Sequence, residues 1–210
     1  MIAKQLKDNG ILAKILEKAI KILLKKECKR IGKVEIDIVA SSIQIIKGII
    51  TKINIKAEDI DYKDLLLDKV KLEANDVKII YSIINKELKL KNNLIINFKI
   101  SLSENSIKAM LFSNNWCWIG NMISKEMLNQ DCLYDIKINN DKLFIKGIKD
   151  KKKISEGERF DIKEDKGKIY LASNLIDKLI EIPIEDKICI KDVNISNNLI
   201  NITAKSLVSF

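Results

Sequence analysis

The feature that constrains this chain most is a helical segment near its N-terminus that is apolar around most of its circumference. Between Ile11 and Lys25, steps of 100° per residue collect the charged side chains in one narrow sector and leave ten apolar residues around the rest. The charged sector consists of Glu17, Lys14, Lys18, Lys21 and Lys25. A helix on the surface of a globular core has an apolar arc of just over about 100°, and this arc is about twice as wide. The segment therefore predicts either a helix enclosed by a curled sheet or a helix lying in a lipid interface with its lysines toward the headgroups.

The residues after Gly32 favour the enclosing sheet. Apolar residues alternate with polar ones, first in Val34–Ile38 and then at Ile43 and Ile45, as in half-buried strands. Two segments, 50–62 and 67–79, then repeat one another at an offset of 67 − 50 = 17 residues.

In each copy the apolar residues change parity just after an aspartate, Asp59 in the first and Asp76 in the second. A flat strand cannot move its apolar residues to the other face, so each change predicts a bulge or corner. We therefore expect neighbouring strands to bend at the same level and the sheet to curl around the N-terminal helix.

The remaining pattern mixes short helices with strands. Ile96, Phe98, Ile100 and Leu102 predict a strand, Ser103 predicts the cap of a helix that ends near Phe112, and a further helix is expected from about Trp116 to Asn129. Turns at 139–141 and 196–198 predict two hairpins. Ser173 is expected to cap a helix that ends before Pro183. That helix would carry Leu175, Ile176, Leu179 and Ile180.

These elements predict an α+β fold in which a curved, mostly antiparallel sheet wraps around a long N-terminal helix. With one proline and seven glycines in 210 residues, there is little material for a linker. We therefore expect one domain over 1–210, with the N-terminal helix over 2–31 and the curved sheet and shorter helices over 33–210.

Composition excludes several functional classes. The net charge of +9 suggests an anionic partner, but only Arg30 and Arg159 are arginine, and arginine is the usual residue for reading bases, so no nucleic acid is expected. Histidine is absent, and the four cysteines have no zinc spacing, so neither a metal nor another cofactor is expected. Because lysines interrupt the N-terminal apolar segment, we expect it to be neither a signal peptide nor a membrane span. The expected location is cytoplasmic, with peripheral membrane contact.

Two segments carry a resemblance to a known family. They are "SSIQIIKGIITKINIKAEDIDYKDLLLDKVKLEANDV" (41–77) and "FKISLSENSIKAMLFSNNWCWIG" (98–120). Together they resemble the bacterial phospholipid-binding family, long catalogued as a domain of unknown function, of cyanobacteria and actinobacteria. The resemblance implies a tubular lipid-binding type of fold with an apolar groove for acyl chains. The family offers no catalytic residues to transfer, and its envelope role is not carried over because this chain has no export signal.

The two tryptophans lie close together, in "FSNNWCWIGNMI" (112–123), with apolar neighbours. One interpretation is ordinary core; the other is that some of these residues line or gate a lipid groove, since an indole contacts acyl chain while its N–H faces water or headgroups. The groove candidates are Leu16, Leu23, Met110, Leu111, Phe112, Trp116, Trp118 and Met122.

Lysines supply the candidate contacts to anionic headgroups. They form the stripe on the first helix and the segment "KDKKK", which otherwise is a solvated turn. The candidates are Lys14, Lys18, Lys21, Lys25, Lys151, Lys152 and Lys153. The acidic cluster Glu58, Asp59, Asp61 and Asp64 is interpreted as corner residues rather than a metal or catalytic site, because Asp59 recurs as Asp76 in the repeat.

The sequence therefore predicts a non-enzymatic protein that binds or transfers a phospholipid or a similar acyl-chain ligand in an apolar groove and contacts anionic membranes peripherally. The alternative is a protein-interaction or structural module that holds an amphipathic partner helix in the same groove. An enzyme acting on lipid-like substrates is the third hypothesis, for which no motif is present.

Overall fold

The computed structural model describes residues 10–82, 87–150, 153–173 and 178–208. The helices are α1 (Ile11–Glu27), α2 (Ser42–Ile46), α3 (Glu104–Leu111) and α4 (Cys117–Leu128). The strands are β1 (Val34–Val39), β2 (Ile49–Tyr62), β3 (Leu65–Ser82), β4 (Glu87–Leu90), β5 (Leu94–Ser103), β6 (Cys132–Asn139), β7 (Lys142–Lys149), β8 (Lys153–Ile154), β9 (Glu158–Asp165), β10 (Lys168–Ser173), β11 (Lys178–Ile182), β12 (Ile188–Ser196) and β13 (Leu199–Val208). The fold is α+β with mostly antiparallel sheets and a helix near the N-terminus, as predicted.

The first sheet has one apolar and one charged face. Its strand order is β1–β2–β3–β5–β13–β12, and β4 pairs with the C-terminal end of β3. Opposed residues form rows across the strands; one row is Ile36, Ile55, Leu72, Phe98, Ala204 and Ile190. Because side chains alternate along a strand, the adjacent row points to the other face. That row is Glu35, Lys56, Lys71, Lys99 and Thr203.

The second sheet bends around α4. Its order is β11–β10–β9–β7–β6, with β8 paired to β7, and both edge strands, β6 and β11, contact α4. Ile119, Ile123 and Met127 form the buried face of this helix. They belong to a large apolar cluster that also contains Phe160 of β9 and Ala204 of β13, so this cluster joins the two sheets.

The enclosed helix is therefore α4, and the prediction that a sheet wraps α1 is wrong. α1 packs along the β1 side of the apolar face of the first sheet, and Ala13 is the only one of its residues that is buried. The difference follows from charge: α4 carries only Lys125 and Glu126 among its 12 residues, whereas α1 carries a lysine or glutamate on nearly every turn. A helix with charge on every turn keeps part of its surface in water.

The predicted changes of face in the repeat are present. Asp59 and Asp76 have left-handed φ angles of 55° and 53°. Ala57 and Ile60, three positions apart, are both buried, as are Ala74 and Val77, which are likewise three positions apart across Asp76. The pairing of β2 with β3 keeps one register through both sites, so neither strand has an extra bulge residue. The left-handed backbone of the aspartate alone moves the following side chains to the other face.

The two bends do not lie at the same level, contrary to the prediction. Asp59 lies between the pairs Glu58–Lys69 and Ile60–Leu67, near the β2–β3 turn. Asp76 lies at the opposite end of the same ladder, beside Ile50 and Lys52. Because β2 and β3 run in opposite directions, equivalent positions of the two repeat copies lie at opposite ends of the paired strands.

The shorter elements follow the sequence with two exceptions. β5, α3 capped by Ser103, α4 and the hairpins at Asn140 and Asn197 are confirmed. Ile43 and Ile45 lie in α2 rather than in a strand, because a capping box between Ser41 and Gln44 starts a helix there.

The helix expected after Ser173 is wrong where the structure describes it. Leu179 and Ile180 lie in β11, which pairs with β10, so pairing overrides the helical pattern. Leu175 and Ile176 lie outside the described residues, as do residues 2–9 of the expected N-terminal helix.

Candidate membrane and lipid surface

α1 has two opposite apolar faces, and only one of them is covered. Ala13, Ile20 and Leu24 fall within about 40° of one another on the helix and pack against the first sheet. Ile11, Ile15 and Ile22 form a second line within about 40°, roughly 180° away. Their exposed fractions are 79%, 57% and 68%. This line of isoleucines therefore points directly away from the sheet.

Lysines flank the exposed isoleucines of α1. Lys14, Lys18, Lys21 and Lys25 are all exposed and occupy the sector next to Ile11 and Ile22. Long lysine side chains extend toward water or phosphate while their methylenes cover apolar surface. The arrangement is typical of a helix that lies in a membrane interface.

The short helix α2 extends this apolar surface. Ile43 and Ile46 are 66% and 76% exposed, whereas Ile45 between them packs into the cluster beneath α1. The N-terminus of α1 abuts α2: a Cβ added to Gly10 would lie 2.7 Å from the Oγ of Ser42. We call the exposed apolar residues of both helices the α1–α2 surface. It consists of Ile11, Ile15, Ile22, Leu23, Ile43 and Ile46.

The middle of the apolar face of the first sheet is only half covered. α1 lies above its β1 side, and the second sheet contacts its β12 side. The half-buried residues between them, which we call the open strip, are Ile53, Ile55, Val70, Leu72, Ile96, Phe98 and Ile100. Ile55 and Leu72 oppose each other on β2 and β3, and neither belongs to a buried cluster. The open strip is therefore a shallow apolar trough beside α1.

The tryptophans lie at the corner between α3 and α4. Trp118 and Phe112 are each 50% exposed. Trp116 is half-buried, and its Nε1–H donates a 2.9 Å hydrogen bond to the carbonyl of Lys63 in the β2–β3 turn. Leu111 is buried in the main core, and Met110 and Met122 pack against it. Trp116 packs against the same core, so four of the eight groove candidates are core or core-facing.

The remaining groove candidates lie on α1. Leu16 packs into the cluster beneath that helix, which is separate from the cluster of Met110 and Met122. Leu23 is 55% exposed on the outer side. The structure therefore does not gather the eight candidates around one channel.

The second lysine segment lies apart from the first. Lys153 is exposed in β8 of the second sheet, whereas the lysine stripe is on α1 beside the first sheet. Lys151 and Lys152 lie outside the described residues.

The acidic cluster is held by local contacts. The Nζ of Lys29 is 4.0 Å from a carboxylate oxygen of Asp61 and 3.5 Å from one of Asp64. The main chains of Arg30 and Asp61 bond to each other, which ties the end of α1 to β2. In the part of the chain that the structure describes, no group of acidic or cysteine side chains could hold a metal ion.

Two concave regions were not predicted from the sequence. A cavity of about 710 Å³ lies along the middle of the first sheet. Its lining contains the row of Lys56, Lys71 and Lys99 and also Ile55, Leu72 and Phe98 of the adjacent row. Hydrogen bonds and charge from neighbouring lysines hold the pKa of Glu35 and of Glu73 in its lining below the ordinary value.

The second cavity, of about 570 Å³, lies beside α2. Its lining joins Lys47, Lys78 and Lys91 to exposed isoleucines that include Ile46 and Ile80. Strand register determines which residues line each cavity. The one feature of the sequence that points to them is the alternation of lysine with isoleucine along the strands.

Comparisons with known proteins add no relative. No protein-family model, curated protein or solved structure matches the chain. None of the helices that the structure describes is both long and apolar enough to cross a bilayer. The resemblance to the phospholipid-binding family stays a prediction.

Proposed function

We propose that this protein binds phospholipid without enzymatic activity and contacts anionic membranes peripherally through the α1–α2 surface. The observation that carries the proposal is the line Ile11, Ile15 and Ile22, which points away from the sheet and is flanked by exposed lysines. Exposed isoleucines in a line cost free energy in water and gain it in the acyl region of a bilayer.

The magnitudes favour a reversible peripheral contact. A fully buried isoleucine or leucine contributes about 1.5–3 kcal/mol. The six residues of the α1–α2 surface are already partly covered, so each contributes a fraction of that range. Each lysine near an anionic surface adds about 1 kcal/mol. These terms together offset the cost of association for a surface that inserts only to the headgroup boundary.

The open strip supports a lipid ligand as well as membrane contact. Its floor is aliphatic and aromatic, and it begins beside α1, where the protein would touch the membrane. One acyl chain of a phospholipid would lie along β2 and β3 over Ile55 and Leu72. The sequence predicted a tubular lipid-binding fold in which the sheet wraps around α1. We propose instead that the sheet lies beside α1 and that the lipid binds on the open strip next to this helix.

Vesicle sedimentation tests the membrane contact. Wild-type protein is mixed with vesicles of phosphatidylcholine alone, or of phosphatidylcholine with phosphatidylglycerol, and the pelleted fraction is measured. We expect sedimentation with the anionic vesicles and a loss of about tenfold or more in affinity for the double variant Ile15→Ser and Ile22→Ser.

The first sheet offers a matched control. Ile95 and Leu207 oppose each other on the charged face and are about as exposed as Ile15. Changing both to serine removes the same apolar surface elsewhere and should leave vesicle binding unchanged. Equal vesicle affinity in the two double variants would refute the proposal.

Lipid extraction tests the ligand. Protein purified from its own cells and analysed by native mass spectrometry should carry phospholipid, and Leu72→Gln should reduce the amount bound. An extract free of lipid, together with absent vesicle binding, would favour the alternative in which the open strip holds an amphipathic helix of a partner protein.

A further inference from the structure

The cavity beside α2 combines an apolar wall with a cluster of positive charge. Its volume is about 570 Å³, and its lining contains five isoleucines, one glycine and three lysines. Ile46 and Ile80 are 76% and 52% exposed at its mouth. Ile46 also belongs to the α1–α2 surface, so the cavity opens next to the residues proposed to meet the membrane.

Main-chain contacts hold the three lysines in place. The carbonyl of Gly48, the residue after Lys47, accepts a 2.8 Å hydrogen bond from the N–H of Ile79, the residue after Lys78. The carbonyl of Lys78 accepts a 2.8 Å bond from the N–H of Lys91. Gly48 allows the close approach: its φ is +70°, and an added Cβ would lie 2.0 Å from the carbonyl oxygen of Ile79. The Cα atoms of the three lysines are therefore held close together by main-chain hydrogen bonds.

The charge of this cavity is not balanced from within. No carboxylate lines it, and Lys47, Lys78 and Lys91 form no salt bridge with any residue in the described ranges. The charged face of the sheet differs, because there Glu35 and Glu73 are paired with Lys33 and Lys52. Three neighbouring cations without a counter-charge repel one another, and an anion between them removes that repulsion.

We propose that this cavity is a binding site for one anionic phospholipid, whose phosphate lies among Lys47, Lys78 and Lys91. The start of its acyl chain contacts Ile46, Ile49 and Ile80. This inference rests on the proposed membrane function and names the headgroup chemistry and the residues that would recognise it. A free phosphate would use the lysines and leave the isoleucines in water, whereas a phospholipid matches both parts of the lining.

A monomeric lipid separates this site from general membrane attraction. Dihexanoyl phosphatidylglycerol is titrated below its micelle concentration into the full chain, and binding is measured by calorimetry. We expect saturable binding that weakens about tenfold or more in the double variant Lys78→Gln and Lys91→Gln. The matched control, Lys56→Gln with Lys71→Gln on the charged face of the first sheet, loses the same charge and should bind the monomeric lipid within about twofold of wild type.

Inorganic phosphate distinguishes the two sources of the anion. It should compete with the short-chain lipid only weakly, because it makes no apolar contact. The single variant Ile80→Ser should lower the affinity for the short-chain lipid. Its affinity for phosphate, measured by competition, should equal that of wild type. Equal affinity for phosphate and lipid would overturn the lipid assignment.

Failure of this site differs from failure of the proposed function. If wild type binds anionic vesicles but the Lys78 and Lys91 variant binds monomeric lipid as well as wild type does, the site is refuted and the membrane contact stands. If wild type sediments with no vesicle, the membrane function is refuted. Urea denaturation of each variant verifies folding, and Lys47→Gln, an independent change at the rim, must also weaken the lipid for the proposal to stand.

Discussion

Asp68 of β3 fixes the start of α3 by binding both hydrogen-bonding groups of Ser103. Its Oδ2 accepts the main-chain N–H of Ser103 at 2.6 Å, and its Oδ1 accepts the hydroxyl at 3.0 Å. The Oγ of Ser103 in turn accepts the N–H of Ser106, which caps the helix. A side chain 35 residues earlier in the chain therefore determines where α3 begins over the first sheet.

Replacing Asp68 with alanine should destabilise the protein. The N–H of Ser103 would lose its partner in a part-buried position, which costs about 1–3 kcal/mol in the free energy of unfolding. Urea denaturation followed by circular dichroism measures this loss. Asp165→Ala, at an exposed aspartate of the β9–β10 hairpin, is the control, and equal losses for the two variants would contradict the role given to Asp68.

Gly48→Ala should destabilise the protein more than Gly167→Ala does. Both glycines have positive φ, +70° and +83°, so both variants carry the strain of a left-handed alanine. Only at Gly48 would the new Cβ collide with main chain, at 2.0 Å from the carbonyl oxygen of Ile79; at Gly167 its nearest neighbour is the Sγ of Cys189 at 3.1 Å. We expect a difference of about 1 kcal/mol or more in the free energy of unfolding. Equal values would mean that the turn relaxes away from β3.

The pair of Lys108 and Asp135 should make stability fall in acid. Burial raises the pKa of Asp135, but the 2.8 Å contact with Lys108 and the charges of Lys108 and Lys137 outweigh it, so its pKa lies below the ordinary value of 3.8. A lowered pKa in the folded state means that the stabilisation is complete above the ordinary pKa and is lost as pH falls through the lowered one.

Asp135→Asn should therefore flatten the acid side of the stability curve. Urea midpoints measured from about pH 5 down to about pH 2 should fall less steeply in this variant than in wild type. The variant Asp165→Asn should retain the wild-type slope. An unchanged slope in Asp135→Asn would show that the pair contributes nothing to acid sensitivity.

Vesicle binding should depend on salt through the lysines of α1. Screening shortens electrostatic reach to about 10 Å at 0.1 M salt, so binding to anionic vesicles should weaken as salt is raised. Changing Lys14, Lys18, Lys21 and Lys25 to glutamine should lower the affinity and flatten its dependence on salt, at about 1 kcal/mol for each lysine.

The charged face of the first sheet supplies the control for that experiment. Changing Lys56, Lys71, Lys99 and Lys191 to glutamine removes the same four charges from a face that α1 does not share. If this variant and the α1 variant lose vesicle affinity equally, net charge rather than the α1 stripe is responsible.

Local patterns in the sequence predicted most of the elements. Alternation in β1 and β5, the Ser103 cap, α4 and the asparagine turns each depend on residues a few positions apart, and all were confirmed. The prediction failed at Leu179 and Ile180, where a helical spacing forms a strand because β10 offers a pairing edge.

Part of the candidate surface was also readable in advance. The lysine stripe of α1 and its wide apolar arc follow from helical geometry alone. The cavity formed by Lys47, Lys78 and Lys91 could not be predicted from the sequence, because these residues come together only through the turn at Gly48 and the pairing of β2 with β3.

The sequence by itself determined that residues 11–25 form a helix with a broad apolar arc and that four lysines and Glu17 occupy the rest of its surface. Only the tertiary structure decided that the helix covers one sheet face with Ala13 and Ile20 and leaves Ile15 and Ile22 outside. The physical reason is that the hydrophobic effect has no direction: a helical wheel gives the width of an apolar face, but the partner that covers it comes from distant strands. Here the second sheet packs around the less charged α4, which leaves the outer face of α1 exposed.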